Sequence, residues 1–277
     1  MNVHVTPQLA SDATATFAHD AVEGLTHSPK RLSPKYFYDS VGSNLFEQIT
    51  RLPEYYPTRT ELGILDDRAD EIATLIPANA ALVEFGAGST TKVRKLLEHS
   101  PIAAYVPVDI SGEFLEQQAA DLRKDFPGLK VYPVTADFTL PFELPGDVAG
   151  MPKVGFFPGS TLGNFEPQDA AHFLARAAGT LGKGAIMILG VDLEKDEPTL
   201  RKAYNDGAGV TAQFNLNVLT RMNRELGADF DLAAFDHKAI YNRDQHRIEM
   251  HLFSRKPQDV TICGQTIRFA RNESIHT

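Results

Sequence analysis

The sequence predicts an α/β fold with a Rossmann-like core, and two observations support this prediction. Apolar strand-like runs alternate with amphipathic helical patterns over residues 61–191, and a glycine-rich loop follows the first of these strands. Such alternation is typical of a parallel sheet covered by helices. After Val191 the pattern changes to helices followed by short strands, which predicts a second region of α+β character.

Each core element is predicted from the period of its apolar residues. The elements are the helix Glu61–Ile76, the strands Ala81–Phe85, Ala104–Val108, Lys130–Thr135 and Val154–Phe157, the helix Asp169–Leu181 and the strand Ala185–Val191. The second region is predicted to be mostly helical from Lys195 to Glu225. One small antiparallel sheet is then expected, with strands Lys238–Tyr241, Arg247–Phe253, Val260–Ile262 and Thr266–Phe269.

The loop after the first strand indicates a nucleotide-type cofactor site. Gly86 and Gly88 allow the backbone to approach a ligand closely, and Asp109 at the tip of the next strand can accept hydrogen bonds from both ribose hydroxyls. Because the third glycine of the dinucleotide pattern is missing, the loop by itself is compatible with NAD, FAD or S-adenosylmethionine. Asp137 can accept from an adenine amino group and Phe138 can pack near its ring, which favours S-adenosylmethionine over NAD.

Composition excludes several classes of partner. The 277 residues carry a formal charge of −9 with no run of Lys or Arg, so nucleic acid is not expected as a partner. The single Cys263 offers neither a disulfide nor a set of zinc ligands, and the histidines show no metal-ligand spacing, so no metal is expected. No apolar stretch approaches the roughly 20 residues that span a bilayer, so no membrane association and a cytoplasmic location are expected.

Four segments of the sequence are distinctive. The longest is KYFYDSVGSNLFEQITRLPEYYPTRTE at residues 35–61. The others are FPGSTLGNF at 157–165, AYND at 203–206 and FNLNVL at 214–219. In these segments the chain resembles one known family, the histidine N-alpha-methyltransferases of ergothioneine biosynthesis. Several long matching stretches in the same order are far more specific than the glycine loop, and together they extend over nearly the whole chain.

The resemblance implies a methyltransferase core at residues 61–194 and a second, substrate-binding α+β domain assembled from residues 1–60 and 195–277. It also implies a set of contacts to S-adenosylmethionine, made by Gly86, Lys92, Asp109, Asp137 and Phe138. The substrate is expected to be a small-molecule amino acid, and the protein is expected to be a monomer.

For the substrate, the resemblance points to residues that would surround a histidine, namely Tyr38, Phe46, Tyr55, Asn164, Tyr204 and Met250. Tyrosine hydroxyls and an asparagine amide can hold the amino-acid carboxylate without adding a cation beside the reacting sulfonium. Tyr38 and Asn164 are the candidate catalytic residues, and Asn164 can also hold the amine. An aromatic face such as that of Phe46 still attracts an ammonium that has lost its N–H donors to methylation.

The implied reaction is three successive methyl transfers to the α-amino group of L-histidine, which give the betaine hercynine. The resemblance also implies that the family continues past Thr277 with a glutamate and a serine that grip the imidazole, followed by the last strands of the core sheet. Imidazole selectivity is therefore not encoded in the present sequence, which leaves another aromatic amino acid open as substrate. Two further alternatives are a nicotinamide-dependent oxidoreductase and a non-catalytic module that binds S-adenosylmethionine.

Overall fold

The computed structural model describes residues 7–277, with side chains from residue 14 onward. The chain forms two compact units. We call Pro57–Leu193 the core unit, and the chain up to Tyr56 together with Glu194–Thr277 the second unit. Within the described range, no helix combines the length and the apolar character that crossing a membrane requires.

The helices and strands are numbered in chain order. The helices are α1 (Pro7–Thr26), α2 (Ser40–Ile49), α3 (Tyr56–Leu75), α4 (Thr91–His99), α5 (Gly112–Asp125), α6 (Pro167–Leu181), α7 (Glu197–Tyr204) and α8 (Val210–Leu226). The strands are β1 (Lys30–Arg31), β2 (Ala80–Phe85), β3 (Ile102–Asp109), β4 (Lys130–Val131), β5 (Val134–Thr135), β6 (Lys153–Phe157), β7 (Ile186–Leu189), β8 (Phe235–Asn242), β9 (Arg247–Ser254), β10 (Gln258–Ile262), β11 (Gln265–Phe269) and β12 (Ser274–His276).

The core unit is built on a parallel sheet with strand order β4-β3-β2-β6-β7, in which β5 also pairs with β3. All six residues of the central strand β2 are buried, as expected for a parallel strand that is covered on both faces. Leu82 packs into one apolar cluster with α4 and α5, whereas Val83 packs into another with α6. This arrangement confirms the predicted Rossmann-like α/β fold.

One predicted core strand is divided. Residues Lys130–Thr135 were expected to form a single strand, but the structure has β4 and β5 separated by Tyr132 and Pro133, both pairing with β3. Proline has no backbone N–H to give to a ladder, which explains the interruption. The chain still follows the same edge of the sheet, so residues after β5 reach the carboxyl end of β3.

Among the described residues the second unit contains two sheets, so the prediction of one small antiparallel sheet is wrong. Strands β8 and β9 belong to a four-stranded sheet of order β1-β12-β9-β8, in which β1 and β12 are parallel. Strands β10 and β11 pair only with each other, through a two-residue turn at Cys263 and Gly264 with φ of 47° and 75°. Two consecutive residues with positive φ are typical of a tight hairpin turn.

Helix α2 is fixed to α8 by the carboxylate of Asp39. Its Oδ1 accepts hydrogen bonds from the Gly42 backbone N–H (2.7 Å) and from Asn217 Nδ2 (2.8 Å), and its Oδ2 pairs with Arg224 (2.6 Å). Burial by itself would raise the pKa of Asp39, but the hydrogen bonds from Arg224, Gly42 and Asn217 hold it below its usual value. The charged form is therefore the one that stabilises the fold.

We expect Asp39→Ala to lower the free energy of unfolding by about 2–3 kcal/mol, because the helix cap and a charge-assisted hydrogen bond are lost together. The loss should be largest above pH 4 and should shrink as acid protonates Asp39, since a lowered pKa contributes stability that disappears as pH falls. Urea unfolding at several pH values measures this. Asp196→Ala, which removes only the exposed cap of α7, is the control and should cost less. Equal losses would contradict the role assigned to Asp39.

Candidate cofactor and substrate sites

The glycine loop lies at the carboxyl end of β2, in the middle of the core sheet. The backbone N–H groups of Gly86 and Ala87 both donate to the carbonyl of Val108, at 2.8 and 3.1 Å, which holds the loop against the end of β3. Gly86 has a φ of +76°, and a Cβ there would lie 3.2 Å from the Phe138 ring. A Cβ on Gly88 would meet no atom within 4 Å, so this part of the loop faces open space.

The two predicted acids follow neighbouring strands. Asp109 ends β3 and pairs in register with Thr135 of β5, and the Ala136 N–H donates to the Asp109 carbonyl at 3.0 Å. Asp137, two residues after Thr135, therefore lies near Asp109 at the carboxyl ends of these two strands. Burial raises the pKa of Asp109, although the Ser111 backbone N–H donates to its carboxylate at 2.8 Å. Asp137 accepts from the backbone N–H of Thr139 at 2.9 Å.

Phe138 packs beside the glycine loop. Its ring makes edge contacts with the rings of Phe157 and Phe173, at centroid distances of 5.6 and 5.7 Å. Phe173 belongs to α6, so this cluster connects the helix to the loop. The structure thus brings Gly86, Asp109, Asp137 and Phe138 together at one edge of the sheet.

Lys92, near the start of α4, forms an ion pair with Glu61 of α3 at 2.6 Å. Both Glu61 oxygens accept from the backbone N–H of Gly159, at 2.8 and 3.0 Å. Glu61 was not among the predicted site residues, because the sequence pattern treats it only as the beginning of an amphipathic helix. The signal that could have drawn attention to it is its place at the end of the long motif of residues 35–61.

Glu84 is a second acid that sequence reasoning missed. It lies within the apolar strand β2, is only 2% exposed, and accepts a hydrogen bond from the Tyr105 hydroxyl at 2.6 Å. Burial raises the pKa of Glu84 to about 8, with Tyr105 and Lys92 opposing the rise and Asp109 and Glu61 adding to it. The available signal was a charged residue inside a strand that is otherwise wholly apolar.

The predicted substrate residues of the second unit form one aromatic cluster. Tyr38 contacts Phe46 at a ring-centroid distance of 5.6 Å, Phe46 contacts Tyr55 at 6.3 Å, and Tyr55 contacts Tyr204 at 5.8 Å, all edge to face. Phe214, which the motif FNLNVL begins with, packs against both Tyr38 and Phe46 at 5.6 and 5.9 Å. We call these five rings the aromatic cluster. Met250 is partly buried against the same apolar core.

Asn164 lies in the core unit. It is exposed and ends the short 3-10 helix Thr161–Asn164 that follows β6, after Ser160 in a left-handed conformation with φ of 57°. The carboxyl end of β6 is next to that of β2, so Asn164 comes from the same edge of the sheet as the glycine loop. Its role toward a substrate stays a prediction.

Residues 17–277 match the model of a family described as histidine-specific, S-adenosylmethionine-dependent methyltransferases. The match extends through both units. The chain belongs to this family.

Three relatives show how far the similarity extends. The chain is 43% identical to the histidine N-alpha-methyltransferase of Mycolicibacterium smegmatis, over all of this chain and 88% of that protein. It is 33% identical to ergothioneine biosynthesis protein 1 of Neurospora crassa, over 87% of this chain but 28% of that longer protein. It is also 30% identical to the 4-dimethylallyltryptophan N-methyltransferase of Claviceps purpurea, over 72% of this chain and 61% of that protein.

Membership of this family makes the chain an S-adenosylmethionine-dependent methyltransferase, and the alternative of a nicotinamide-dependent oxidoreductase is overturned. The residues at the sheet edge fit this methyl donor. A nucleoside is suited by the open space at Gly88, the acid at the end of β3 and the aromatic side chain beside Gly86. The carboxylate of the donor is suited by the cationic side chain of Lys92.

The second unit contains a group of side chains that could hold a metal ion. Its members are Glu249, His251 and His276, and each has a ligand atom within 4.8 Å of those of the others. Two members of this group already have hydrogen-bond partners: His251 contacts Glu249 and Ser274 at 3.1 Å each, and Arg247 donates to Glu249 at 2.7 Å. The rings of His251 and His276 are stacked 5.0 Å apart. We interpret this group as an ion-pair network of the second unit.

Proposed function

We propose that this chain transfers methyl groups from S-adenosylmethionine to the α-amino nitrogen of L-histidine and forms hercynine, a step of ergothioneine biosynthesis. One observation supports this proposal above the others. In a chain 43% identical to a histidine N-alpha-methyltransferase along its full length, residues from three separated family segments gather in the aromatic cluster.

The core unit holds the methyl donor in this proposal. S-adenosylmethionine supplies an electrophilic methyl group on a cationic sulfur. The backbone at Gly86 and Gly88 allows close approach of the nucleoside, Asp109 accepts from the ribose hydroxyls, and Asp137 accepts from the adenine amino group with Phe138 beside the ring. Lys92 provides a cation for the donor's carboxylate.

The residues that the family resemblance assigns to the substrate orient the amino acid in this proposal. The hydroxyls of Tyr38, Tyr55 and Tyr204 donate to the substrate carboxylate, and Asn164 holds the amine. The faces of Phe46 and its neighbours attract the ammonium group as it gains methyl groups, since cation–π attraction does not need N–H donors. Met250 packs near the imidazole. Catalysis then depends mainly on alignment, and a neighbouring positive charge lowers the pKa of the amine, so no dedicated base is assigned.

Mass spectrometry of L-histidine incubated with S-adenosylmethionine and the protein tests the proposal. We expect mass gains in steps of one methyl group, up to three, located on the α-amino nitrogen by fragmentation. Product with methyl groups on the imidazole, or no product from histidine, would overturn it.

Tyr38→Phe is expected to lower kcat/KM for histidine by about 10- to 100-fold, because one hydrogen bond to a charged group is lost. The affinity for S-adenosylmethionine should stay within about twofold. Tyr36→Phe is a matched control in the same unit, because the Tyr36 hydroxyl donates to Asp20 at 2.6 Å and its ring stacks on Phe17. That control should leave kcat/KM unchanged. Equal losses in both variants would contradict the assignment of Tyr38.

A second candidate substrate is another aromatic amino acid. The similarity to a 4-dimethylallyltryptophan N-methyltransferase supports it, since the aromatic cluster could also face an indole. Competition between equal amounts of L-histidine and L-tryptophan, with both products quantified, separates the two candidates.

We also propose that the enzyme acts as a monomer in the cytoplasm. The acidic charge of −9 supports solubility at neutral pH without demanding a partner. Light scattering coupled to size exclusion would test the monomer, and fractionation of cells that express the protein would test its location.

A further inference from the structure

Glu61 places a carboxylate among three elements of the core unit. It projects from α3, and its oxygens accept from the Gly159 N–H, just after β6, and pair with Lys92 near the start of α4. A Cβ on Gly190, just after β7, would lie 1.9 Å from Glu61 Oε1. The carboxylate therefore lies between the ends of β6 and β7, and any side chain at residue 190 would displace it.

The pair with Lys92 is shielded from water. The side chains of Glu61 and Lys92 are 17% and 19% exposed, and the Lys92 ammonium would lie 2.9 Å from a Cβ on Gly159. An ammonium has three N–H donors, and a pair with one carboxylate oxygen needs only one of them. Glu61 thus fixes the position of the Lys92 ammonium, which lies close enough to Glu84 to oppose the rise in the pKa of that carboxyl.

We infer that Glu61 is a positioning residue for the methyl donor: it holds Lys92 and the Gly159 loop so that Lys92 meets the carboxylate of the donor's amino-acid end. This inference rests on the proposed use of S-adenosylmethionine by this edge of the sheet. S-adenosylmethionine has one anionic group, its carboxylate, which is the natural partner for a lysine held in place.

The opposite role would be occlusion, in which the Glu61 carboxylate takes the place of the donor's carboxylate and must be displaced. The two roles predict opposite changes in the affinity for S-adenosylmethionine when Glu61 is replaced. Removing a positioning residue weakens binding of the donor, whereas removing an occluding residue tightens it. The sign of one affinity change therefore decides between them.

The same two helices provide a matched control. Asp66 of α3 pairs with Lys95 of α4 at 2.6 Å, but these side chains are 52% and 34% exposed. Asp66→Asn removes an ion pair between α3 and α4 without touching the edge of the sheet. This variant therefore measures how much donor affinity changes when an ion pair between α3 and α4 is lost and only the packing of these helices is affected.

Isothermal titration calorimetry with S-adenosylmethionine, in the absence of any amino acid, tests the inference on five proteins: the wild type, Glu61→Gln, Lys92→Met, the double variant and Asp66→Asn. Glutamine keeps the acceptor for the Gly159 N–H and removes only the charge. We expect Glu61→Gln to weaken binding about tenfold or more, as the loss of a charge-assisted contact implies. Asp66→Asn should stay within about twofold.

The double variant shows whether Glu61 acts through Lys92. If it does, Glu61→Gln combined with Lys92→Met should bind no more weakly than Lys92→Met alone, a non-additive result that a general loss of stability would not give. Unchanged or tighter binding by Glu61→Gln, additive losses, or no binding by the wild type would overturn the inference. A wild type that binds the donor but leaves histidine unmethylated would count against the proposed function alone.

Discussion

Gly86→Val is expected to weaken S-adenosylmethionine binding by at least about 100-fold. A φ of +76° is strained for any side chain and most strained for a β-branched one, and a Cβ at this position would press on the Phe138 ring at 3.2 Å. The loop and Phe138 would have to move together, and both belong to the proposed nucleoside site. Calorimetric titration of the donor measures the effect, and kcat/KM should fall in parallel.

Gly184→Val is the matched control for this variant. Gly184 also has a positive φ, of +85°, and lies in the same unit between α6 and β7, but a Cβ there meets no atom within 4 Å. We expect the control to lower Tm while the affinity for the donor stays within about twofold. If both variants lost affinity equally, backbone strain throughout the core unit would explain the result, and the assignment of Gly86 to the cofactor site would fail.

Glu84→Gln is expected to change how stability depends on pH. The pKa of Glu84 is about 8 in the folded protein because of burial, against 4.5 for an ordinary glutamate. Between these values the unfolded chain releases the proton and the folded chain keeps it. The stability that this proton contributes is complete below pH 4.5 and is lost as pH rises to 8, with a slope of about 1.4 kcal/mol per pH unit and a total of about 4–5 kcal/mol.

Glutamine has nearly the same shape and still accepts from the Tyr105 hydroxyl, but it has no proton to lose in this range. The variant should therefore match the wild type near pH 5 and exceed its free energy of unfolding by several kcal/mol, of the order given by the linkage relation, at pH 8. Urea unfolding at pH 5, 6.5 and 8 measures the difference. The exposed Glu98→Gln should give a curve parallel to that of the wild type. If the Glu84→Gln curve were also parallel to that of the wild type, the claim that folded Glu84 keeps its proton up to about pH 8 would be refuted.

Much of the proposed cofactor site could be predicted from the sequence, because it depends on the order of the strands along the chain. In a parallel sheet the carboxyl ends of all strands meet at one edge, so residues that follow β2, β3 and β5 must come together. Gly86, Asp109 and Asp137 needed only a correct assignment of strands. The family segments supplied the residues of the aromatic cluster, although not the contacts of their rings.

The contacts that hold these residues in place could not be predicted in this way. Glu61 and Gly159 are 98 residues apart, and nothing in the period of α3 distinguishes Glu61 from the other charged residues of that helix. Strand β1 has two residues and β12 three, too few for a pattern, yet their pairing joins Lys30 to Ile275. Such long-range hydrogen bonds and strand pairings depend on how helices and strands pack once they have formed.

Apolar period, turn residues and motifs are local properties of the chain, and they were enough to predict the alternating elements of the core, the loop at Gly86 and the family. Packing was needed to show that the described part of the second unit has two sheets, that Glu84 is buried against Tyr105, and that Glu61 holds Lys92 and Gly159. Burial and ion pairing depend on which distant side chains exclude water from each other, and that is set when the elements pack.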